Sequence, residues 1–386
     1  MEIICEKNRT PVGDRLKATR RAILASSALA VVAPASCRQG TAATTATTAE
    51  RSPAAWAPKL SENLHDTDPA TLRWLKQLGA RHVIYQPSAR LQPKDVLDTE
   101  KKGYWSLADV MKVKKSCDEA SLALESMMLP IDFYTNARLG RPGRDREIEN
   151  VCRTIRSASE AGVPMMEWRF WPDFFFDERV GYYTISGRGG AQLRGFDYSL
   201  VESAPPFEEI GRVDEREMWA RFLYFTKPVA EAAEKANVRL SMHPNDPPVP
   251  VMRGVARIFS RTDGLRRFLR EVPSRVCGIT FCQGTIAEMG VNVFDEIRHF
   301  GARGKIFLVH LRAVSGKVPC YEEVFIDEGD LDMVEALKTY REVGYSGPIV
   351  SDHTPGIEGD TVWGHTGRAF SLGYIRALVH AVNQIG

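Results

Sequence analysis

Charge of one sign is the first thing this sequence lacks. Lys and Arg number 51 against 49 Asp and Glu in 386 residues, a formal net charge of +2. That balance builds no strong global field, which argues against nucleic acid or an anionic membrane surface as the main partner. CxxC spacing is missing too: the seven cysteines, at 5, 37, 117, 152, 277, 282 and 320, are scattered. A zinc ribbon and a disulfide framework are thereby disfavoured, and single cysteines stay available for other roles. No G-x-G-x-x-G opens the first strand–helix unit, so a dinucleotide-binding open sheet is the weaker architecture. What remains is 44% hydrophobic and 26% charged, the composition of a soluble globular protein with a large core.

Residues 1–50 differ in kind. The stretch "TRRAILASSALAVVAPASC" sets Arg20 and Arg21 before an uncharged run that reaches Ser36. The run is short for a membrane span and has the layout of a signal peptide. A long charged segment ending in paired arginines points to twin-arginine export, and so to a periplasmic protein. Ala33-Pro34-Ala35 fits a cleavage site, whereas Ala35-Ser36-Cys37 resembles a lipoprotein site with a lipid anchor at Cys37. The following "QGTAATTATTAERSPAA" has little apolar bulk and is expected to be disordered. The expected division is a signal peptide over 1–36, a disordered linker over 37–57 and one catalytic domain over 58–386.

From about residue 58, short β-rich runs alternate with longer amphipathic stretches. The runs are "RHVIYQ" (81–86), "SLALESM" (121–127), "PMMEWRF" (164–170), "VRLSMH" (238–243), "VCGITFC" (276–282), "KIFLVH" (305–310) and "GPIVSD" (347–352). A weaker eighth lies near "KLSENLH" (59–65). Alternation of this kind implies parallel strands joined by crossover helices, and seven or eight units suit a (β/α)8 TIM barrel. In such a barrel the active site lies at the C-terminal ends of the strands. Those ends read Glu125, Arg169, His243, Cys282, His310 and Asp352. A lone His is more often a satisfied core group, a lone Cys a small hydrophobe and a strand-end Asp a helix cap. Four such residues on four consecutive strands point instead to a shared metal ion. The prolines of "SMHPNDPPVP" (241–250) then have a purpose: they stiffen the loop beside a ligand.

Five motifs, "HPNDPP" (243–248), "CQGT" (282–285), "HLR" (310–312), "GDLDM" (329–333) and "DH" (352–353), come in an order and spacing that resembles the mannonate dehydratases. The resemblance runs from about residue 64 to the end, with weaker matches at "ALES" (123–126) and "WRFWP" (168–172). It implies a (β/α)8 fold, dehydration of D-mannonate to 2-keto-3-deoxygluconate in hexuronate breakdown, and Mn²⁺ as the usual ion. It also implies His243, Cys282, His310 and Asp352 as metal ligands and His353 as the catalytic histidine. The sequence departs from the family pattern at three places. Asn245 replaces an acid, "VWGHTGR" (362–368) stands where a tyrosine assists proton transfer, and "WRF" replaces a Tyr-Asn-Phe type of sequence.

The chemistry is compatible with these residues. Removing a weakly acidic C2 proton and expelling a C3 hydroxyl calls for a Lewis acid and a group that titrates near neutrality, such as His353. Arg312 is expected to fork onto the substrate carboxylate, with Arg169 and Glu125 as further substrate-facing residues. His365 or Trp363 stands near the place of the missing tyrosine. By ligand softness, one thiolate, two imidazoles and one carboxylate suit Fe²⁺ or Zn²⁺ at least as well as Mn²⁺. Two segments, 177–190 and 320–333, are expected to form a mobile flap and a lid, with Asp330 capping the helix that follows. The partner is a small sugar acid; an oligomer is allowed. The other readings are a metal-dependent sugar isomerase or epimerase, and an exported sugar-acid-binding protein without turnover.

Overall fold

The structure, a computed structural model, describes residues 55–87, 102–173 and 178–385. The expected signal peptide, most of the linker and Cys37 lie outside those residues. All eight expected strands form, and we number them β1 to β8. They are β1 (Lys59–Leu64), β2 (His82–Tyr85), β3 (Ala123–Met128) and β4 (Met165–Trp168), then β5 (Arg239–Met242), β6 (Cys277–Cys282), β7 (Ile306–His310) and β8 (Pro348–Val350). Every neighbouring pair is parallel, and β8 closes back onto β1. This is a TIM barrel.

Its strands are nearly continuous apolar runs because crossover helices cover the outer face. The longest of these helices, Glu215–Ala236, begins where Asp214 accepts the amide of Glu217 and ends at Asn237 in the left-handed region. It buries Phe222 and Phe225 against Trp168 of β4, whose ring stacks on Phe222 with centroids 5.7 Å apart. The wall is therefore rigid directly behind the strand that precedes the loop to the site. A compact unit begins at Trp56. Trp56 donates its amide to Asn383 Oδ1 and its indole N–H to the Tyr345 carbonyl, which ties the last linker residues to the barrel. Among the described residues no helix is long and apolar enough to cross a membrane.

Two long insertions change the expected flap and lid. One follows β4 and supplies Tyr182–Ser186 and Gln192–Asp197; the other follows β7 and supplies Ala313–Lys317 and Cys320–Val324. The four strands form a single antiparallel sheet, with Tyr321 opposite Phe196 and Tyr182 opposite that same Phe196. Backbone pairing makes this an ordered cap at the C-terminal end of the barrel. The helix after the second insertion is capped by Asp332, which accepts from Val334 and Glu335, not by Asp330. Asp330 instead accepts the amide of Gly316 within the cap.

Candidate metal centre

The loop after β5 holds the first donor. His243 Nδ1 lies 2.7 Å from the Pro244 carbonyl, which can only accept, so the proton is on Nδ1 and Nε2 carries the lone pair. Asn245 ties the loop down: its side-chain oxygen accepts the Phe259 backbone N–H, and its own backbone N–H donates to the Phe259 carbonyl. A backbone clamp therefore occupies the position where the family pattern has an acid. Burial, helped by Arg169 and His310, pushes the His243 imidazole well below its ordinary value, so the ring stays neutral. A neutral ring is a ligand; a protonated one is not.

Cys282 is the last residue of β6, and His310 the last of β7. With His243 they form a fully enclosed trio whose donor atoms all lie within 4.8 Å of one another. Asp352, two residues beyond β8, borders the trio: Oδ1 is 3.2 Å from His310 Nδ1 and Oδ2 is 3.5 Å from Cys282 Sγ. Asp352 sits at φ 59°, a left-handed conformation unusual for a non-glycine residue and found most often where a side chain must be aimed. Burial would raise its carboxyl, but His353 and His310 beside it hold it well below the usual carboxylate range. Burial likewise keeps Cys282 a thiol, with the Asp352 charge adding to the effect. A cation is what would convert it to thiolate.

These donors fit a divalent ion. Metal–ligand bonds of about 2.0–2.3 Å place tetrahedral donors roughly 3.3–3.8 Å apart, close to the separations just given. Both ring nitrogens of His310 are buried without a hydrogen-bond partner among the described residues. Such nitrogens are costly in a core and expected in an ion site.

His353 lies beside the trio and half-buried. Its Nε2 is 3.6 Å from Asp352 Oδ1, while its Nδ1 meets Arg194, Arg312 Nη1 at 2.6 Å and Glu323 Oε2 at 3.1 Å. Nδ1 thus faces two arginine donors and one carboxylate acceptor, so this side of the ring is held by charged partners of both signs. Burial, with the two arginines adding to it, lowers the imidazole below its ordinary value. The ring also lines a cavity of about 1020 Å³, together with Arg188, Arg194, Trp363 and Arg368. His353 therefore joins the enclosed donors to open space.

Several expected residues sit elsewhere. Arg312 is buried, and both its terminal nitrogens are engaged by protein carboxylates: Glu288 at 2.7 Å, Glu323 at 3.0 Å, Asp246 at 3.1 Å and Asp352 at 3.6 Å. It is a charge hub under the cap, with only the buried Nε lacking a hydrogen-bond partner among the described residues. Asp246, Glu323 and His353 also cluster, but Arg312 and Arg194 already neutralise them, so a cation has no place there. Glu125 is not at the C-terminal face at all. It is the third residue of β3, near the start of the strand, and pairs with Lys59 and His82 at the beginnings of β1 and β2. The strand extends one residue further than its apolar pattern suggested, to Met128. Arg169 is buried near the trio and pairs with Glu167. His365 is outside the cluster, its ring edge-on to Trp74 and Trp363 and its Nδ1 2.6 Å from Thr361 Oγ1. Trp363 does line the cavity.

Two residues escaped the sequence reading. Arg194, on a cap strand, contacts His353 and lines the cavity; its strand pairs with a segment over a hundred residues away, which no local pattern reveals. Glu167 lies inside β4 among apolar neighbours. A charged residue within such a run is the signal that the sequence offers.

The family model described as D-mannonate dehydratase (UxuA) matches residues 63–210 and 190–386. A mannonate dehydratase from Thermotoga maritima is 30% identical over 318 residues, covering 73% of this chain and 87% of the relative. Mannonate dehydratase 2 from Halalkalibacterium halodurans is 27% identical over 335 residues, covering 80% and 95%. The crystal structure of mannonate dehydratase from Streptococcus suis aligns with TM-score 0.74 at 26% identity, covering 85% of this chain and 95% of that one. A xylose isomerase domain protein from Planctomyces limnophilus aligns with TM-score 0.55 at 15% identity and shares the fold alone. The chain belongs to the D-mannonate dehydratase family.

Proposed function

We propose that this chain is a hydro-lyase that converts D-mannonate to 2-keto-3-deoxy-D-gluconate and water, with a divalent ion on His243, Cys282, His310 and Asp352. The observation that carries the reading is the enclosed donor set meeting His353 at the edge of the cavity. Bound there, the ion would act as a Lewis acid for the negative charge that develops when the C2 proton leaves. The softness of the donors allows Fe²⁺ or Zn²⁺ beside Mn²⁺.

His353 supplies the proton chemistry. Arg194, Arg312 and Glu323 meet at its Nδ1, and Nε2 is assigned the proton transfer. Dehydration removes one proton from C2 and returns one to the departing C3 hydroxyl, so a single group can serve both steps. This accounts for a working site without the family's tyrosine. Arg312 acts one step back, holding His353, Glu323 and Asp246 in register. The test is a screen of metal-loaded protein against hexonates and pentonates, with mass detection. D-Mannonate should lose water to give a 3-deoxy-2-keto acid. A product of unchanged mass would favour an isomerase, and tight binding without product a binding protein.

We further propose export by the twin-arginine route, supported by Arg20-Arg21 and the uncharged run behind them. Folding before export lets the ion load and keeps Cys282 reduced in the cytoplasm. Replacing both arginines with lysine should leave the precursor in the cytoplasmic fraction; normal export of that variant would refute the route. Labelling with a fatty-acid analogue decides between a lipid on Cys37 and cleavage after Ala35.

A further inference from the structure

Glu167 has no role in the account so far. It is fully buried on β4, and neither carboxylate oxygen has a hydrogen-bond partner among the described residues. Buried charges are normally paired and hydrogen-bonded, so an orphan of this kind calls for an explanation. Two groups stand near Oε1: Arg169 Nη2 at 3.6 Å and His310 Nε2 at 3.7 Å. His310 is itself an orphan, with both ring nitrogens buried and unpartnered. Two unsatisfied groups thus face each other across a gap less than an ångström longer than an ordinary N–H···O bond of about 2.9 Å.

The ring of His310 bridges two environments. Nδ1 faces Asp352 Oδ1 at 3.2 Å, on the side of the donor set, and Nε2 faces Glu167. A neutral imidazole carries one N–H and one lone pair, and its neighbours decide which nitrogen has which. With the proton on Nδ1, a lone pair would point at the Glu167 carboxylate, acceptor against acceptor. With the proton on Nε2, the N–H points at Glu167 and the lone pair at the donor set. Asp352 Oδ1, 3.2 Å from Nδ1, poses the same choice on the other side, and a cation shared by Nδ1 and Asp352 decides it: only the second arrangement then satisfies both carboxylates, with the one behind the histidine orienting it toward the ion.

We propose that Glu167 is a positioning residue of the metal centre, accepting the Nε2–H of His310 and so fixing Nδ1 as the atom offered to a divalent cation. The proposal rests on the metal reading of the site. Arg169, on the same oxygen, balances the carboxylate charge, which makes Glu167 and Arg169 a matched pair behind the ligands. Glu167 is not itself placed as a ligand, because it meets only His310 of the donor set, whereas Asp352 meets both His310 and Cys282.

Full-length protein tests this without turnover. Zn²⁺ affinity is measured by chelator competition for wild type, Glu167→Gln and Glu167→Ala, with melting of the metal-free forms as control. Affinity should fall about 10–100-fold in Glu167→Ala and less in Glu167→Gln, which keeps an acceptor oxygen. A purely structural role would instead lower metal-free melting and spare affinity in whatever folds. Nitrogen-15 NMR of histidine-labelled, Zn²⁺-loaded wild type reads the tautomer directly, even if both variants fail to fold. A proton on Nε2 of His310 supports the proposal; a proton on Nδ1, or unchanged affinity in Glu167→Ala, overturns it. Wild type that binds no Zn²⁺, Mn²⁺ or Fe²⁺ would remove the metal reading itself, a distinct result.

Discussion

Replacing His353 with asparagine should lower kcat by roughly 10²–10⁴-fold while leaving the bound ion in place, the usual loss for a general acid–base group. The two halves of that result come from two sides of one ring. The His353 ring lines the cavity, whereas the donor set closes around His243, Cys282 and His310 without it. Asparagine keeps a polar head for Arg194 and Arg312 but cannot take up a proton near neutrality. The loss should therefore fall on kcat more than on KM, read by steady-state kinetics on protein whose metal content is measured in the same sample. Parallel loss of metal and activity would move His353 into the donor set and contradict its assignment as the proton-transfer group.

The second large effect belongs to Cys282. In Cys282→Ala the softest donor is gone, and Asp352 loses a neighbour 3.5 Å from Oδ2. Elemental analysis should show occupancy falling to a small fraction of wild type, with turnover following it. Stability gives an independent reading. An ion present at 100 times its dissociation constant stabilises the folded state by about 2.7 kcal/mol, and that gain should largely vanish in the variant. Melting of the two metal-free proteins should differ little, because alanine removes only one small buried atom. Full occupancy in Cys282→Ala would take the thiol out of the site.

The barrel was legible because each strand is an apolar run bounded by polar turns, and even the weak β1 pattern forms Lys59–Leu64. His243, Cys282, His310 and Asp352 were legible for a related reason: each sits at or just past the last residue of its strand, where chain order alone predicts convergence. Register was the limit. Glu125 and Met128 lie only three residues apart, yet one faces the bottom of the barrel and the other ends the strand at the top. The cap was hidden for a different reason. Its strands pair Cys320 with Asp197, and hydrogen bonding between such distant segments leaves no periodic trace in either. No local pattern therefore places Arg194 beside His353 or sets Glu288, Glu323 and Asp246 around Arg312. A strand-end arginine looks like a substrate clamp until its partners are known.

One divalent ion on His243, Cys282, His310 and Asp352 is expected to make the chain a dehydratase. Titrating metal-free protein with Mn²⁺, and separately with Fe²⁺ and Zn²⁺, in the presence of D-mannonate tests it most directly, following both bound ion and the 3-deoxy-2-keto acid. With at least one of these ions, turnover should rise in proportion to ion bound, level off at one ion per chain, and disappear on chelation. Undiminished turnover by the metal-free chain, or none with any of the three ions at full occupancy, would contradict the account.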